Sequence, residues 1–439
     1  MPTTGSILIR SLMTCILLGL ANLSATAAER LPWPDKQGPN FDSNVTAEDA
    51  HDLPVSWDEE TSKNIALKIP IQGAGLSTPV IGQSRVWLTS ATEDGREQFV
   101  YCIHEQTGEI LHRKLIFRNE DPEPLGNKVN TYASPSCVLE PDAVYVHFGT
   151  YGTARLNPET ADIVWQRRDI QCRHFRGPGS SPVISGDLIF LTFDGIDQQF
   201  VMALNKQTGE TVWRTDRSTD YQDLDENGQP RANGDYRKAF STPALATIGG
   251  RVQLISAGSK AAFAYDALTG KEIWTLPYDT MNAACRPIVF QNKVIINTGS
   301  GRAKLYCVRL DETTRGDVLK SHVLWERTKG NSELSAPILV DGRLYMIAGN
   351  GVTSCVDAMT GEELGKVRIK GTFVASPIAA NGLIYFSNEE GVTTVVKANS
   401  ELEEVASNKI DDGIRASFGV ANGSIWIRAY HHLYKITAQ

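Results

Sequence analysis

One short pattern recurs eight times along this chain of 439 residues. Each copy sets small residues beside a proline, or a phenylalanine in the last copy, ahead of an aliphatic stretch and a turn. The copies begin at Ser77, Ser134, Ser181, Thr242, Arg286, Ala336, Ser376 and Ser417. Repeats of this length are supersecondary units that cannot bury an apolar face alone, so they must pack against one another.

The third copy shows what one unit contains. Residues 181–184, 188–193, 199–204 and 210–215 are four short runs rich in β-forming residues, with turn residues between them. Four such runs in succession predict one antiparallel four-stranded sheet. Proline at the start of the first strand is tolerated, because that residue need not donate a hydrogen bond to the sheet.

The two ends of the repeat array complement each other. The last copy offers strands at 417–421, 424–430 and 432–437 but no fourth strand, and residues 64–70 form a strand-like run without a sheet. Pairing this run as the outer strand of the last sheet closes a ring and removes two exposed edges. The sequence therefore predicts an all-β, eight-bladed β-propeller of four-stranded antiparallel blades. The alternative, an open solenoid, needs polar caps, which this sequence lacks.

A turn followed by tryptophan also repeats. Residues 204–213 contain Thr-Gly and then tryptophan, residues 265–274 repeat the pattern, and residues 156–165 carry a degenerate copy. The predicted blade-docking residues are Trp165, Trp213, Trp274 and Trp325. A tryptophan at a fixed offset packs its large flat surface between adjacent blades. The pattern resembles the tryptophan-docking motif of pyrroloquinoline-quinone-like (PQQ-like) eight-bladed propellers, over about residues 64–439.

This resemblance implies two different functions. The quinoprotein dehydrogenases of this fold hold the quinone and a calcium ion with Glu, Asn and Asp ligands, use a catalytic Asp, and typically carry a disulfide between adjacent cysteines. This sequence has no adjacent cysteine pair. The second group resembles the outer-membrane assembly factor BamB, which binds partners and catalyses nothing. Residues 31–40 are also similar to the opening of exported PQQ-like proteins from planctomycete-type bacteria.

The first residues resemble a secretory signal. Arg10 precedes an apolar stretch at 11–20, and Ala25-Thr26-Ala27 has the small-x-small form of a cleavage site. The apolar run is too short to span a bilayer. We therefore expect a signal peptide at 1–27, an N-terminal arm at 28–63 and the propeller at 64–439. The expected product is a soluble exported monomer in the periplasm, with an arm that brings Trp33 and Trp57 onto the propeller.

Net charge argues about binding partners, and cysteine placement argues about disulfides. The net charge of −8 argues against nucleic acid, which needs a basic footprint. Six cysteines remain after the predicted signal: Cys102, Cys137, Cys172, Cys285, Cys307 and Cys355. Several occupy equivalent places in different repeats, which lie far apart in a ring. We therefore expect buried free thiols rather than disulfides.

Basic residues precede most of the first strands and should ring one mouth of the central channel. The basic set is Lys128, Arg173, Arg176, Arg237, Lys238, Arg286, Lys329, Lys370 and Arg415. His174 lies in the same tier. On an acidic protein such a ring would attract an anionic ligand. Lysine and arginine are common enough here that chance alone can place one in most of these windows.

A calcium loop is the one metal pattern in the sequence. Asp223, Asp225 and Asn227 follow the first half of an Asp-x-Asp-x-Asn-Gly loop. Gly234 stands where an EF-hand needs its bidentate glutamate, so an ordinary polar turn is the competing interpretation. No predicted cofactor follows from the residues themselves; PQQ and calcium enter through the resemblance alone.

The sequence selects no catalytic constellation. It contains no GxSxG, Walker or HExxH pattern. We therefore expect a noncatalytic scaffold of the periplasm or cell envelope that binds a protein or an anionic small ligand. The alternative is a PQQ-dependent alcohol or sugar dehydrogenase, because the fold does not decide the function.

Overall fold

The computed structural model describes Met1, residues 30–126 and residues 129–439. Apart from Met1, the predicted signal peptide at 1–27 lies outside the described residues. Two short 3₁₀ helices, Gly149–Tyr151 and Arg231–Arg237, interrupt an otherwise all-β chain. Across the ranges described, no helix is long and apolar enough to cross a membrane.

The strands form eight antiparallel blades, which confirms the predicted eight-bladed propeller. The chain begins with β1 (Ile65–Pro70), then builds blade 1 from β2 (Val80–Gly82), β3 (Arg85–Ala91), β4 (Glu97–His104) and β5 (Ile110–Arg118). Blade 2 has β6 (Val138–Glu140), β7 (Ala143–His147), β8 (Thr153–Leu156) and β9 (Ile163–Arg167). Blade 3 has β10 (Val183–Ser185), β11 (Leu188–Asp194), β12 (Gln199–Asn205) and β13 (Thr211–Asp216). Blade 4 has β14 (Ala244–Ile248), β15 (Arg251–Ala257), β16 (Ala261–Asp266) and β17 (Glu272–Pro277).

The second half of the ring repeats this plan. Blade 5 has β18 (Ile288–Phe290), β19 (Lys293–Asn297), β20 (Leu305–Arg309) and β22 (Val323–Arg327), while β21 (Gly316–Asp317) pairs in parallel with β17 of blade 4. Blade 6 has β23 (Ile338–Val340), β24 (Arg343–Ile347), β25 (Val352–Asp357) and β26 (Glu363–Arg368). Blade 7 has β27 (Ile378–Ala380), β28 (Leu383–Ser387), β29 (Val392–Lys397) and β30 (Glu404–Lys409). Blade 8 has β31 (Gly419–Ala421), β32 (Ser424–Arg428) and β33 (His432–Thr437).

The first strand of each blade is its inner strand and lies beside the channel. Inner strand β2 contacts both β6 of blade 2 and β31 of blade 8, so the ring is closed. The outer strand of blade 8 is β1, which pairs antiparallel with β33 in the register Ile69 to Leu433. The predicted closure by the N-terminal strand is therefore confirmed.

Tryptophans lie at three of the blade junctions in one recurring geometry. The indole N–H of Trp165, Trp213 and Trp325 donates to the carbonyls of Lys206, Ala267 and Ala358, respectively, at 3.0, 3.0 and 3.2 Å. Each acceptor belongs to the turn before the outer strand of the next blade. A Cβ on Gly270 of that turn would lie 2.4 Å from the Trp213 ring, so only glycine admits the indole. Gly270 also has a φ of +71°, which favours glycine.

The other five junctions of the described blades lack that geometry, and two of them show what replaces it. Trp274 is fully buried, but its indole N–H donates to Gln253 of its own blade at 3.2 Å. Blade 5 has a longer connection there, and its β21 pairs directly alongside Trp274. At the first junction His112 replaces tryptophan and contacts the Glu159 carbonyl of blade 2 at 2.8 Å, so a polar contact between blades is retained.

The six cysteines within the described residues are all buried and unpaired. Burial raises the pKa of Cys137 to about 12, which keeps the thiol protonated and unreactive. Cys102, Cys307 and Cys355 lie on third strands of different blades. They act as small apolar side chains of the core, as the repeat spacing predicts.

Candidate functional site

The propeller encloses a small central cavity of about 130 Å³. Its wall comes from the segments that precede the inner strands, and all eight blades contribute. The N-terminal arm supplies two further wall residues, Lys36 and Gln37. We call this space the central cavity; it is the one concavity that the ring symmetry itself creates.

The N-terminal arm crosses the channel on the side where the inner strands end. Trp33 exchanges two backbone hydrogen bonds with Ile81 of β2, at 3.0 and 2.8 Å. Further along, the Val45 N–H donates to the Ala379 carbonyl of β27 at 2.8 Å. The arm therefore spans the ring from blade 1 to blade 7 and adds Lys36 and Gln37 to the wall of the central cavity.

A buried ion pair fastens the middle of the arm to blade 5. Arg286 Nη1 donates to Asp35 Oδ1 at 2.7 Å, and the two side chains are 2% and 1% exposed. Arg286 Nε donates to the Pro243 carbonyl at 3.0 Å. The remaining oxygen of Asp35, Oδ2, is buried and has no hydrogen-bond partner within the described residues.

Lys36 lies next to this pair and borders the central cavity. Burial lowers the pKa of the Lys36 ammonium, and nearby Arg286 lowers it further, while Asp35 acts in the opposite direction. Within residues 30–126 and 129–439, no side chain or carbonyl accepts a hydrogen bond from this ammonium. Lys36 as a whole is only partly buried, and its Nζ is not among the fully buried polar atoms without a partner.

Hydroxyl side chains link neighbouring blades around the channel. The residue two positions before the inner strand carries a hydroxyl in six blades, namely Thr78, Ser136, Ser181, Thr242, Ser376 and Ser417. Five of these hydroxyls accept a backbone N–H from the preceding blade at 2.9–3.1 Å. Arg286 and Ala336 occupy the equivalent position in blades 5 and 6. The ion pair to the arm thus forms where the hydroxyl ring is interrupted.

Of the predicted anion-binding residues, the structure brings two to the central cavity. Arg286 and Arg415 both line it. Arg415 Nε lies 3.0 Å from Glu389 Oε1, so this guanidinium also has a carboxylate partner. Neither carboxylate partner, Asp35 or Glu389, belongs to the cavity wall.

The other predicted basic residues point elsewhere. Three arginines form ion pairs outside the cavity: Arg173 with Glu123, Arg176 with Asp235 and Arg237 with Asp223. Lys238 is buried against Asp235, and Lys329 and Lys370 are exposed. Lys128 lies outside the described residues. Loop conformation, which the repeat does not specify, decides these orientations.

His174 lines a separate small cavity of about 30 Å³ between blades 2, 3 and 4. Its Nδ1, together with Ser180 Oγ and Thr192 Oγ1, is buried without a hydrogen-bond partner among the described residues. Burial lowers the pKa of His174 to about 4 and that of His147, in the same cavity, to about 3. Both rings are therefore neutral at physiological pH.

Two of the predicted calcium ligands, Asp223 and Asp225, already have partners within the protein. Asp223 is buried and accepts hydrogen bonds from Arg237 through both carboxylate oxygens, while Asp225 accepts the backbone N–H groups of Asn227 and Gln229. In the ranges described, no group of three His, Cys, Asp or Glu side chains is arranged to hold a metal ion. The residues thus form a turn with its own internal partners.

A larger concavity, about 730 Å³, is an open groove between blades 1 and 2. Arg118, Arg168 and Arg173 border it together with Glu120 and Glu123. Arg168 donates to the Arg118 carbonyl and to Asn119 Oδ1. Its mixed charge gives this groove no single ligand preference.

Sequence reasoning missed the arm's part in the site. Asp35 and Lys36 stand in a segment without repeat periodicity, and their partner Arg286 is 251 residues away along the chain. One signal was available. Arg286 occupies a position that carries a hydroxyl in six of the eight repeats, and a charged residue at a small-residue position marks a special contact.

The sequence matches a known protein family over most of its length. The family model described as outer membrane protein assembly factor BamB matches residues 42–235 and again residues 201–403. The two matches together span well over half of the chain. The chain belongs to this family. Among curated proteins, none matches the sequence.

Solved structures of two kinds share the family fold. BamB from Moraxella catarrhalis aligns with a TM-score of 0.55 and 14% identity, over 85% of this chain and 99% of that one. A europium-containing methanol dehydrogenase aligns with a TM-score of 0.65 and 10% identity, over 93% of this chain and 91% of that one. The quinohemoprotein alcohol dehydrogenase from Comamonas testosteroni aligns with a TM-score of 0.62 and 12% identity, over 92% of this chain and 80% of that one. At such low identity these similarities show the fold alone.

The central cavity does not suit a quinone with calcium. A volume of about 130 Å³ is below the roughly 300–1,000 Å³ usual for cofactor-sized ligands. Calcium prefers carboxylate and carbonyl oxygens, yet every charged side chain in the described wall is a cation. The arm residues Lys36 and Gln37 take up the remaining space on one side.

Proposed function

We propose that this BamB-family propeller is an exported, noncatalytic binding scaffold of the cell envelope. The observation that carries the proposal is the channel itself. Its wall offers no carboxylate, its volume is about 130 Å³, and the arm closes one end through the Asp35–Arg286 pair. A ring arranged in this way is suited to hold small ions or to present its faces to a partner, and not to turn over an organic substrate.

Two further features support the proposal. Burial raises the pKa of the Cys137 thiol and lowers the pKa of His147 and His174, so the thiol is protonated, both rings are neutral, and none of the three is activated for catalysis. The matching family model carries the description of an assembly factor. Export is proposed from Arg10, the apolar stretch at 11–20 and the small residues at 25–27.

A dye-linked oxidation assay tests the scaffold proposal against the dehydrogenase alternative. The mature chain is incubated with PQQ and calcium, then supplied with alcohols or sugars and an electron-accepting dye, beside a quinoprotein dehydrogenase as positive control. We expect no dye reduction above the rate of free PQQ. Saturable, substrate-dependent dye reduction by this chain would overturn the proposal.

A further inference from the structure

The central cavity has charge of one sign on its wall. Lys36, Arg286 and Arg415 line it, and among the described wall residues there is no aspartate or glutamate. Arg286 and Arg415 already have carboxylate partners behind the wall. Lys36 has no hydrogen-bond acceptor in the described chain, so the cavity carries one cation more than its local partners balance.

The hydroxyl ring adds neutral donors to the same wall. Ser136, Ser376 and Ser417 line the cavity, and each hydroxyl oxygen accepts a backbone N–H from the preceding blade. A hydroxyl that accepts one bond still has its own O–H to donate. In the part of the chain that the structure describes, none of these three O–H groups donates to a protein acceptor.

A small cavity lined by cations and hydroxyl donors is complementary to an oxyanion in charge and hydrogen bonding. Ionised acceptors make the strongest hydrogen bonds with such donors. The volume of about 130 Å³ equals that of about four water molecules at ~30 Å³ each, which admits a tetrahedral oxyanion or a short carboxylate.

We propose that the central cavity binds one small oxyanion, with Lys36 as its charge partner and the ring hydroxyls as further donors. This inference rests on the proposed scaffold function and specifies what the scaffold holds. The anion lies between arm and blades, so it contributes to keeping the arm seated across the channel. A sulfate, a phosphate or a short carboxylate meets the same requirement.

Calorimetric titration of the mature chain with each probe tests the inference. Sodium sulfate, sodium phosphate and sodium malonate are titrated separately, with sodium chloride at matched ionic strength as reference. We expect one site per chain for at least one of the three probes and none for chloride, and the three probes separate inorganic from carboxylate ligands. If none of them binds, the inference is wrong.

Substitution of Lys36 identifies the site. Lys36→Met removes the charge and breaks no hydrogen bond to the described protein, so the variant should fold and, without probe, be at least as stable. In the parent chain a saturating probe at about 100 Kd raises the unfolding midpoint by roughly 3 °C. We expect Lys36→Met to weaken the binding roughly tenfold or more, as loss of a charged donor does.

Lys370→Met is the matched control, because Lys370 is exposed and lies outside the cavity wall. It should bind the probe as the parent does. Equal weakening in both variants, or full binding by Lys36→Met, would show that the anion binds elsewhere. If Lys36→Met does not fold, the parent titration alone decides. Failure to bind an oxyanion leaves the scaffold proposal standing, whereas quinone-dependent turnover would defeat that proposal independently.

Discussion

Single side chains join each blade to the next. Trp213 is 8% exposed, donates its indole N–H across the junction of blades 3 and 4, and lies against Gly270. The outward neighbour Val212 is 49% exposed. Two adjacent residues of β13 therefore have very different weights in the stability of the ring.

Truncation of Trp213 should be among the more costly single changes. Trp213→Ala removes the buried ring and the hydrogen bond, and we expect it to lower the free energy of unfolding by about 3–5 kcal/mol. Val212→Ala, the control on the same strand, should cost less than about 1 kcal/mol. Urea denaturation measures both; equal costs would mean that the indole does not hold the junction.

Buried histidines link stability to pH. Burial lowers the pKa of His147 to about 3 and that of His174 to about 4, whereas the unfolded chain titrates near 6.5. A lowered folded pKa gives stability that is fully present above pH 6.5 and is lost as the pH falls toward the folded pKa. Each ring contributes a slope of about 1.4 kcal/mol per pH unit over that window.

Between pH 6.5 and 4, His147→Gln should therefore lower the slope of unfolding free energy against pH by the contribution of one titrating proton, about 1.4 kcal/mol per pH unit. The measurement is the free energy of unfolding in denaturant at steps of pH across this window. Above pH 7 the His147 ring is neutral in both the folded and the unfolded chain. The difference in unfolding free energy between parent and variant should therefore not change with pH there, which serves as an internal control. An unchanged slope below pH 6.5 would show that His147 is not the titrating group.

Predictability at this scale depended on whether the repeat constrains the residue. The docking role of Trp165 and Trp213 follows from a fixed offset in a repeated turn. Trp274 departs because blade 5 inserts β21 beside it, and no residue of blade 4 announces that insertion. Orientations of the basic loop residues were not predictable, since Arg173 and Arg237 turn toward carboxylates on their own loops or neighbouring ones.

The N-terminal arm lies outside the repeats and packs against several blades. It combines a strand-like exchange at Trp33 with a buried ion pair at Asp35. Gly38 makes the turn that follows Asp35 possible, because its φ is +78° and a Cβ there would lie 2.9 Å from the Trp33 ring. The sequence predicted that the arm brings Trp33 and Trp57 onto the propeller, and both are buried there, Trp57 against Tyr385. The arm's individual partners could not be predicted, since no repeat pattern relates it to the blades.

Removal of the Asp35 carboxylate should loosen the arm. Asp35→Ala leaves Arg286 buried without its anionic partner, and we expect a cost of about 3–5 kcal/mol in unfolding free energy. Glu48→Ala is the control, because its pair with Arg30 is exposed at the surface and should be worth less than about 1 kcal/mol. Limited proteolysis within residues 30–60 should accelerate for Asp35→Ala alone; unchanged protection would contradict the anchoring role.

The whole molecule is a ring in which the N-terminal strand β1 completes the last blade. β1 and β33 were predictable as partners, because three strands at one end and one at the other complete a blade. The same reasoning gave eight blades from eight copies of one pattern. What a closed ring encloses was not predictable, because it depends on the arm and on loop side chains.

Two truncations separate ring closure from arm binding. A chain of residues 64–439 keeps β1 and loses the arm, whereas a chain of residues 72–439 loses both. We expect the shorter chain to expose the edge of β33 and to unfold at a lower urea concentration or self-associate, as unpaired edges do. Size-exclusion chromatography and urea titration compare them; identical behaviour would mean that β1 does not close the ring.

We propose that the channel of this propeller is closed by its own arm and holds no quinone. Equilibrium dialysis of the mature chain against PQQ with calcium tests it directly, with the bound quinone measured by its absorbance. We expect no stoichiometric retention, because the cavity is small, lacks carboxylates and is bordered by Lys36. Retention of one PQQ per chain, dependent on calcium, would contradict it.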